Sequence, residues 1–564
     1  MDHYPWYDHY DPHVPRTLEP YPKITIVDII RETATLRPEH PALWYKGRTI
    51  SYQTLEQESD ALATALYALG VRKSDRVALL LPNIPQFIIG ELALWKLGAI
   101  STPMNPLYTA PELEHAFNEV QAELAIVLTP FYTKVKSIQP RTSLQRIIAT
   151  NVKEYLPTPL KWLFTLLKEK KEGHRIRIDP EDLWFQDLIA QHRGESPPQI
   201  PITPDDPALI LFTGGTTGRS KAALGAHKAF IMTGLQVRTW FGDRLEEWKD
   251  VFLANLPLFH VFAGVGTQSV AFLGRSTIAL VPNPRDIGDQ IATIEKTRAT
   301  FMTAVPTLFI ALMQHPRVEQ GKADLSSLKA CISGAAPLLQ QTKEDFERLT
   351  GARIVEGYAL TESMMAATIN PVYGVNKVGS VGMPVPDVKI RIVDPETGTH
   401  ELPPGEIGEI TMWAPQLMLE YWQRPEETAY TLRDGWLYTG DLGYLDEDGY
   451  LFIVDRKKDV IKVSGLQVWP REVEEVIARH PAVAEVGVAG VPDPYQGEAV
   501  KAWIVLKKGH KATAEEIRSH CRQYLAPYKV PKHVEFRTEL PKSAVGKLLR
   551  RELRKEGAKN AETT

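Results

Sequence analysis

The sequence predicts a multidomain α/β protein, and three observations lead to that prediction. Helical and strand patterns alternate in residues 23–150, which favours helices on both sides of a mainly parallel sheet. A proline-dense connector at 196–207 is followed by a second α/β region that runs to about residue 380. The chain has 564 residues, which is enough for about four units of roughly 150 residues each.

The two α/β regions are predicted from short segments with clear periodicity. In the first region, 55–69 has apolar residues on one helical face, the apolar run 76–81 predicts a buried strand, and 85–97 predicts a helix. In the second region, 208–212 is a short apolar run that predicts another buried strand.

The remaining chain predicts a small β-rich subdomain and a separate C-terminal module. Between 383 and 454, Gly, Pro and Asp turns separate short strands at 388–393, 408–413 and 450–454. The module begins near Asp459. Its features are a helix at 470–478 with proline at the first position, strands at 483–491 and 499–506, and a capping box at Thr513.

Composition excludes several classes of protein. Lys plus Arg number 65 against 69 for Asp plus Glu, so the net charge of −4 argues against a nucleic-acid binder. Cys331 and Cys521 provide neither a disulfide framework nor metal-ligand spacing. No signal peptide and no membrane-spanning run is recognised, so a cytoplasmic protein is expected.

One segment, 155–177, is apolar in its first part and basic in its second. It is too short to cross a bilayer, but its composition suits a membrane interface at the inner face of the membrane. The alternative is a surface helix packed on its own domain. Both interpretations stay open, and a homodimer is likewise an open option.

A glycine-rich loop at 213–221 follows the predicted strand 208–212 directly. Its sequence is Thr213-Gly-Gly-Thr-Thr-Gly-Arg-Ser-Lys221, which supplies backbone N–H groups, hydroxyls and a cation for phosphate oxygens. It is not a Walker A motif, because Gly218 is followed by Arg-Ser-Lys. The alternative is a glycine-rich surface turn.

Three later segments also carry polar groups suited to a nucleotide. They are Glu356-Gly-Tyr-Ala-Leu-Thr-Glu362, Tyr438-Thr-Gly-Asp441 and Leu540-Pro-Lys-Ser-Ala-Val-Gly-Lys547. Taken singly, each has a simpler explanation: Thr361 could cap a helix, Asp441 could close a turn, and Lys547 could be a solvated charge.

Together, in this order and spacing, the four segments resemble the adenylate-forming superfamily of acyl-CoA synthetases, adenylation domains and luciferases. The resemblance covers about residues 25–555 and is strongest to the bacterial long-chain fatty acid–CoA ligases. Those enzymes have a similar glycine-rich loop, runs like Val491-Pro-Asp-Pro-Tyr495 and Tyr528-Lys-Val-Pro-Lys, and an insertion like 153–177. Ser220, Ala222 and Ala359 depart from the family pattern, but none of these removes a charged group.

The resemblance implies a large N-terminal domain, 1–458, and a small mobile α+β C-terminal domain, 459–564. The N-terminal domain would comprise two α/β subdomains, about 25–200 and 201–380, and a small β-barrel-like subdomain, about 381–455.

The resemblance also implies the residues that hold ATP and Mg²⁺. Thr361 would contact the α-phosphate, and Glu362 would bind Mg²⁺. Asp441 and Arg456 would hold the ribose. The β- and γ-phosphates would lie on Thr213, Gly214, Gly215, Thr216, Thr217, Gly218 and Lys221. The adenine would lie between Tyr358 and the backbone at Gly334, Ala335 and Ala336.

The remaining implied roles concern the acyl group, coenzyme A and the domain rotation. His260 would lie beside the substrate carboxylate, although it could instead be a core histidine. Lys547 would serve adenylate formation, and Lys462 would serve thioester formation from the opposite face of a module that rotates about Lys458. Ser464 and Gly465 complete the implied cofactor-binding set.

The activity implied is an ATP-dependent ligase that converts a long-chain fatty acid to its adenylate and then to its CoA thioester. A medium-chain or aryl acid–CoA ligase shares every motif. An amino-acid adenylation domain is disfavoured, because 258–262 offers no aspartate for an α-amine. From another class, a catalytically inactive lipid-binding descendant is the alternative.

Overall fold

The computed structural model describes residues 4–213, 220–457, 459–464, 466–493, 495–543 and 546–561. Within them the chain forms four β-sheets flanked by helices. Three sheets belong to a large N-terminal domain, and the fourth belongs to a small C-terminal domain. The predicted α/β fold class is confirmed.

The first sheet has eight strands, with parallel pairing at its centre. Across the sheet the strands follow the order Glu420–Tyr421, Ala222–Ala226, Pro207–Phe212, Ile100–Pro103, Arg76–Leu80, Leu124–Leu128, Arg146–Thr150 and Leu183–Trp184. The strands predicted at 76–81 and 208–212 are confirmed to within one residue.

The second sheet has nine strands and is also parallel at its centre. Its order is Met383–Pro384, Thr368–Ile369, Arg353–Tyr358, Ala330–Ser333, Phe301–Ala304, Val251–Ala254, Thr277–Leu280, Pro41–Tyr45 and Arg48–Ser51.

One helix, Pro85–Lys96, joins the cores of these two sheets. Every one of its residues is buried, and apolar residues lie on all sides of the helix, as expected for a helix enclosed by protein. Just before the helix, the Asn83 amide donates to the carbonyl of Ala254, at the end of a strand of the second sheet (2.9 Å), and to the carbonyl of Leu256 just after it (2.8 Å). At the other end the Trp95 indole N–H donates to Ala208 in the first sheet, at 2.9 Å.

The third sheet is antiparallel, and in the described part of the chain its edge strands do not pair with each other. The order is Lys389–Val393, Gly408–Trp413, Trp436–Leu445 and Leu432–Arg433, with Leu451–Arg456 paired to Trp436–Leu445. The predicted strands 388–393, 408–413 and 450–454 are confirmed, with ends that shift by two residues at most.

The C-terminal domain packs three helices on a five-stranded sheet. The sheet comprises Leu466–Val468, Ile461–Val463, Gly497–Leu506, Val483–Asp493 and His533–Arg537. The helices are Pro470–Ala478, Ala514–Arg522 and Arg550–Ala561. The helix predicted at 470–478 and the Thr513 capping box are both confirmed.

The N-terminal domain carries the other helices. They are Ile26–Leu36, Tyr52–Ala68, Pro85–Lys96, Ala110–Val120, Tyr132–Ile138, Thr158–Leu167, Phe185–Gln191, Lys228–Phe241, Gln268–Leu273, Ile287–Thr297, Pro306–Met313, Pro316–Glu319, Gln340–Thr350 and Pro425–Thr431, with a π-helix at Phe262–Thr267. Among the described residues, none of the helices combines the length and apolar character needed to cross a membrane.

Candidate active site

Three predicted residues, Tyr358, Asp441 and Arg456, meet where the second and third sheets adjoin. Tyr358 ends the strand Arg353–Tyr358, and its hydroxyl donates to Asp441 Oδ2 at 2.7 Å. Asp441 and Arg456 are cross-strand partners, and Arg456 Nε lies 3.1 Å from Asp441 Oδ1. The structure therefore brings an aromatic ring, a carboxylate and a guanidinium together, as the sequence predicted.

Burial tunes the ionisation of this group. Burial, followed by the charge of Asp441, raises the pKa of the Tyr358 hydroxyl, so it stays a hydrogen-bond donor. Burial acts to lower the pKa of Arg456, but Asp441, together with Tyr358, Asp459 and Glu362, outweighs burial, and the net shift is upward. Asp441 is therefore held by one neutral and one charged donor, and its position is fixed for binding hydroxyl groups.

The two ends of the glycine-rich loop are fastened to each other. The backbone N–H of Thr213 donates to the Lys221 carbonyl at 2.8 Å, and the Lys221 N–H donates to Thr213 Oγ1 at 3.3 Å. Thr213 and Lys221 thereby continue the antiparallel pair Pro207–Phe212 and Ala222–Ala226 by one residue on each strand. The predicted phosphate-binding residues Gly214, Gly215, Thr216, Thr217 and Gly218 lie outside the described residues.

Tyr421 contacts both Glu362 and Lys221, although nothing in the sequence pointed to this residue. The Tyr421 hydroxyl donates to Glu362 Oε1 at 2.7 Å, and the Lys221 ammonium lies 4.6 Å from the centre of the Tyr421 ring. Thr361, immediately before Glu362, is half-buried in the turn that follows Tyr358. A carboxylate and a cation therefore flank one aromatic ring beside the loop.

A carboxylate oxygen of Glu362 is the type of ligand that a magnesium ion prefers. Mg²⁺ binds hard oxygen ligands and usually retains several waters together with substrate phosphates, so one protein carboxylate is sufficient. The hydrogen bond from Tyr421 occupies Oε1 and orients the carboxylate. The donor set at this position therefore fits the predicted metal.

The residues predicted to lie against the adenine, Gly334, Ala335 and Ala336, directly follow the strand Ala330–Ser333. Gly334 is buried and packs so closely that an added Cβ would lie 3.1 Å from the Phe262 ring, whereas Ala335 and Ala336 are exposed. Ala335 adopts a φ of +66°, which turns the chain at this point. The strand that precedes this turn pairs with the strand that ends at Tyr358.

His260 lies two residues before the first residue of the π-helix Phe262–Thr267, a type of helix that is frequent at functional sites. Burial, and secondarily the charge of Lys547, lowers its pKa to about 4, so the imidazole is neutral at physiological pH. The Phe262 N–H donates to His260 Nδ1 at 3.3 Å, which assigns the proton to Nε2. His260 can therefore donate a hydrogen bond from Nε2 to a substrate carboxylate.

Lys547 reaches this site from the C-terminal domain. An added Cβ on the preceding Gly546, at φ +78°, would lie 3.3 Å from Val305 Cγ2 and 3.4 Å from Thr307 Oγ1, so the loop lies against the N-terminal domain. The side chain remains accessible to the solvent of the cleft, but surrounding protein and then the Arg456 charge lower its pKa to about 8. The Lys547 ammonium is close enough to Asp441, Arg456 and His260 for their charges to interact.

Lys462 occupies a different part of the C-terminal domain. It lies in the strand Ile461–Val463 with its side chain exposed, and its N–H donates to Glu498 Oε2 at 2.8 Å. Ser464 follows at φ +51°, and its N–H donates to the Gln496 carbonyl. The structure thus does not bring Lys462 and Ser464 into the group around Asp441. The predicted hinge Lys458 and the predicted Gly465 lie outside the described residues.

The arrangement can neutralise an anion and align two reactants. It presents two cations of the N-terminal domain, Lys221 and Arg456, and one of the C-terminal domain, Lys547, around a carboxylate that suits ribose hydroxyls. A neutral histidine stands beside them. In this set no side chain is arranged as a nucleophile with its own base, so the chemistry that fits is phosphoryl-group attack by a substrate anion.

Models of two protein families match most of the chain. The AMP-binding enzyme family matches residues 30–422, and the AMP-binding enzyme C-terminal domain matches residues 472–547. The second match contains Lys547, and the first contains His260, Tyr358 and Glu362.

Full-length relatives and solved structures agree with these matches. A long-chain-fatty-acid–CoA ligase of Bacillus subtilis (strain 168) is 39% identical over 561 residues, which is 99% of this chain and 98% of that relative. Among solved structures, the anthranilate CoA ligase AuaEII in complex with anthranoyl-AMP has a TM-score of 0.83 at 28% identity, covering 96% of this chain and 98% of that one. ATP-bound MatB from Rhodopseudomonas palustris has a TM-score of 0.81 at 29% identity, covering 94% and 99%.

Proposed function

The chain belongs to the AMP-binding enzyme family, and on that premise we propose that it is an ATP-dependent fatty acid–CoA ligase. It activates a long-chain fatty acid as the acyl-adenylate, releases pyrophosphate, and transfers the acyl group to coenzyme A. One observation carries the proposal: Gly546, next to Lys547, packs against the N-terminal domain, and Lys547 is close enough to Asp441 and Arg456 of that domain for their charges to interact. The full-length similarity to long-chain-fatty-acid–CoA ligases supports the substrate class.

The first half-reaction is attack of the fatty acid carboxylate on the α-phosphate of ATP, with pyrophosphate as the leaving group. No general base is needed, because a carboxylic acid with a pKa of about 4.3 is already ionised at pH 7. The difficulty is to bring two anions together, so cations and N–H donors supply the catalysis. Arg456 and Asp441 hold the nucleotide, Lys547 stabilises charge at the α-phosphate, and His260 donates to the attacking carboxylate.

Glu362 would hold Mg²⁺ next to the loop 213–221, which binds the β- and γ-phosphates. When bound, the ion neutralises phosphate charge. In this chain Tyr421 orients the Glu362 carboxylate, and Thr361 contacts the α-phosphate. Tyr358 and the backbone at Gly334 enclose the adenine, together with Ala335 and Ala336.

The second half-reaction is attack of the CoA thiolate on the adenylate carbonyl, which expels AMP. A free thiol has a pKa of about 8.5, so a nearby cation that favours the thiolate accelerates this step. We assign this role to the face of the C-terminal domain that carries Lys462 and Ser464, with Gly465 next in the sequence, and this face is presented when the domain rotates about Lys458. The boundary at Lys458 divides the chain into 1–458 and 459–564.

The nearest alternative is a medium-chain or aryl acid–CoA ligase. The structural similarity to an anthranilate CoA ligase favours it, while the higher identity to the long-chain enzyme favours a fatty acid. A catalytically inactive lipid-binding protein is disfavoured by the intact charged set Glu362, Asp441, Arg456 and Lys547.

Pyrophosphate release tests the proposed activity. The protein, ATP, Mg²⁺ and CoA are incubated with single acids from acetate to oleate and with benzoate. Release with long-chain acids supports the proposal, and release with benzoate alone favours the aryl alternative. The absence of release with every acid, together with oleate binding, would favour the lipid-binding alternative.

The helix Thr158–Leu167 supports a peripheral membrane contact through 155–177. Five of its large apolar side chains have 43–77% of their surface exposed, namely Leu160, Trp162, Leu163, Leu166 and Leu167. Only Phe164 is buried, against His174. A helix that leaves most of its apolar surface in water is unsuited to simple packing and is suited to a lipid interface.

The charge of this segment favours an anionic surface. Residues 155–177 contain six Lys or Arg and two Glu, a net charge of +4 in a chain whose total is −4. Each cation close to anionic headgroups contributes about 1 kcal/mol. A fatty acid dissolved in a bilayer would thereby be close to the enzyme, at the inner face where ATP and CoA are present.

Vesicle flotation tests this contact. The wild-type protein should float with vesicles that contain phosphatidylglycerol and less with pure phosphatidylcholine. Trp162→Ser with Leu166→Ser should abolish flotation, and Leu349→Ser, which alters an exposed leucine of the helix Gln340–Thr350, should not. Equal flotation of both variants would contradict the contact.

A further inference from the structure

We propose that Asp455 and Arg550 form a latch across the domain boundary that positions Lys547 at the nucleotide site. The latch rests on the proposed function, because its purpose is to hold the orientation used for adenylate formation. Neither residue belongs to the group that surrounds the nucleotide site, and both therefore act through Lys547 as positioning residues.

Asp455 connects the third sheet to the C-terminal domain. It lies in the strand Leu451–Arg456 and is buried. Its Oδ1 accepts from the Arg456 N–H of its own strand at 2.8 Å, and its Oδ2 accepts from the Arg471 N–H at 2.9 Å. Arg471 is the second residue of the helix Pro470–Ala478, where free N–H groups and the helix dipole favour a carboxylate. One carboxylate thus joins the two domains.

Arg550 completes the connection from the side of Lys547. It begins the helix Arg550–Ala561, three residues after Lys547. Its Nη2 lies 2.6 Å from Glu474 Oε2, which fixes it to the C-terminal domain, and its Nη1 lies 3.5 Å from Asp455 Oδ1. Because Arg550 is so close to Lys547 in the chain, fixing Arg550 also fixes the path of the Lys547 loop.

The free energy of the ionised Asp455 carboxylate depends on the orientation of the C-terminal domain. Burial raises the pKa of this carboxyl, whereas Arg550 and the N–H groups of Arg471 and Arg456 oppose that effect, with Asp459 as a nearby like charge. Two of the three stabilising groups come from the C-terminal domain. Rotation of that domain would keep the Arg550–Glu474 pair intact but would deprive Asp455 of those partners, and an unpaired buried carboxylate is costly.

A second hydrogen bond strengthens the same junction. Arg471 Nη1 donates to the Ile453 carbonyl at 2.5 Å, two residues before Asp455 on the same strand. The N-terminal turn of the helix Pro470–Ala478 is therefore held at two points, by the Asp455 carboxylate and by the Ile453 backbone carbonyl. Of these two acceptors, only the carboxylate can be changed by a single isosteric substitution.

Separate assays of the two half-reactions test the latch with Asp455→Asn. We expect ATP–pyrophosphate exchange to fall by about tenfold, while thioester formation from supplied acyl-adenylate and CoA is unchanged or faster. Asp446→Asn is the matched control, because Asp446 bonds to Tyr450 and Lys377 within the N-terminal domain. Equal loss in both half-reactions for Asp455→Asn, or no loss in exchange, would overturn the latch.

A distance measurement tests the latch without relying on activity. Spin labels at Leu349→Cys and Tyr524→Cys occupy exposed positions in the two domains, and the native Cys331 and Cys521 are buried. Asp455→Asn should increase the fraction of molecules in which the distance between the two spin labels differs from the distance in this structure. An unchanged distribution would overturn the latch. If the wild-type protein activates no acid, the proposed function fails, but this measurement still decides the latch.

Discussion

The hydroxyl of Tyr358 donates to the Asp441 carboxylate at 2.7 Å across 83 residues of sequence. This bond joins the second sheet to the third, and Arg456 completes it from the neighbouring strand. The proposed ribose site is therefore made by two sheets that pack together, and its geometry depends on their contact. The consequences can be tested residue by residue.

Removing the Tyr358 hydroxyl should weaken nucleotide binding. Tyr358→Phe keeps the ring but leaves Asp441 with one donor fewer, a loss of about 1 kcal/mol, so the KM for ATP should rise about fivefold with little change in kcat. Steady-state kinetics measures this. Tyr450→Phe, which loses a hydroxyl bonded to the Val375 carbonyl, is the control and should leave the KM unchanged.

The two lysines should separate the half-reactions. Lys547→Ala should reduce adenylate formation by about 100-fold or more, because it removes the cation that we propose stabilises charge at the α-phosphate, and should leave thioester formation from supplied acyl-adenylate largely intact. Lys462→Ala should do the reverse. Pyrophosphate exchange and thioester assays measure the two steps. If Lys547→Ala impaired both steps equally, its assignment to the first half-reaction would be wrong.

The rate of adenylate formation should depend on pH through Lys547. Its pKa is lowered to about 8, so the free enzyme loses this positive charge as the pH rises above that value. Because kcat/KM reports the free enzyme, kcat/KM for ATP should decline above about pH 8. Lys547→Arg, which stays charged, should retain kcat/KM at high pH relative to its own value at pH 7. A wild-type profile that is flat to pH 9.5 would contradict this.

Glu91 should make stability depend on pH. This buried carboxyl accepts from Gln268 (2.9 Å) and Ser101 (3.0 Å), and burial raises its pKa from 4.5 to about 8. Between those pH values the folded protein binds one more proton than the unfolded chain, so the contribution of Glu91 to stability falls as the pH rises.

The substitution Glu91→Gln isolates this effect. The free energy of unfolding of the variant, relative to the wild type, should increase by a few kcal/mol between pH 5 and pH 8.5. Denaturant unfolding measures it, and the exposed Glu344→Gln should show no such trend. A difference that is constant with pH would show that Glu91 is ionised throughout.

Local features were predictable from the sequence, and long-range pairings were not. The helix Pro470–Ala478 and the strand Gly408–Trp413 follow from proline placement, turns and apolar periodicity, all of which act within a few residues. The bond from Tyr421 to Glu362 joins residues 59 apart, and nothing in the sequence around Tyr421 indicates it.

Some site residues were likewise predictable from the sequence, and others were not. The resemblance of its motifs pointed to Tyr358, Asp441 and Arg456, and the structure brings these three together. The latch residues Asp455 and Arg550 lie in two domains, 95 residues apart, and each is an ordinary charged residue in its own segment. Only the packing of one domain on the other shows that they form a pair.

Competition among acids tests the central claim most directly. The protein is incubated with ATP, Mg²⁺, CoA and an equimolar mixture of acids from acetate to oleate with benzoate and anthranilate, and the CoA thioesters are measured by mass spectrometry. If the protein is a long-chain fatty acid–CoA ligase, we expect long-chain acyl-CoA as the main product, with one AMP formed per thioester. A preference for short or aromatic acids, or no thioester from any acid, would contradict it.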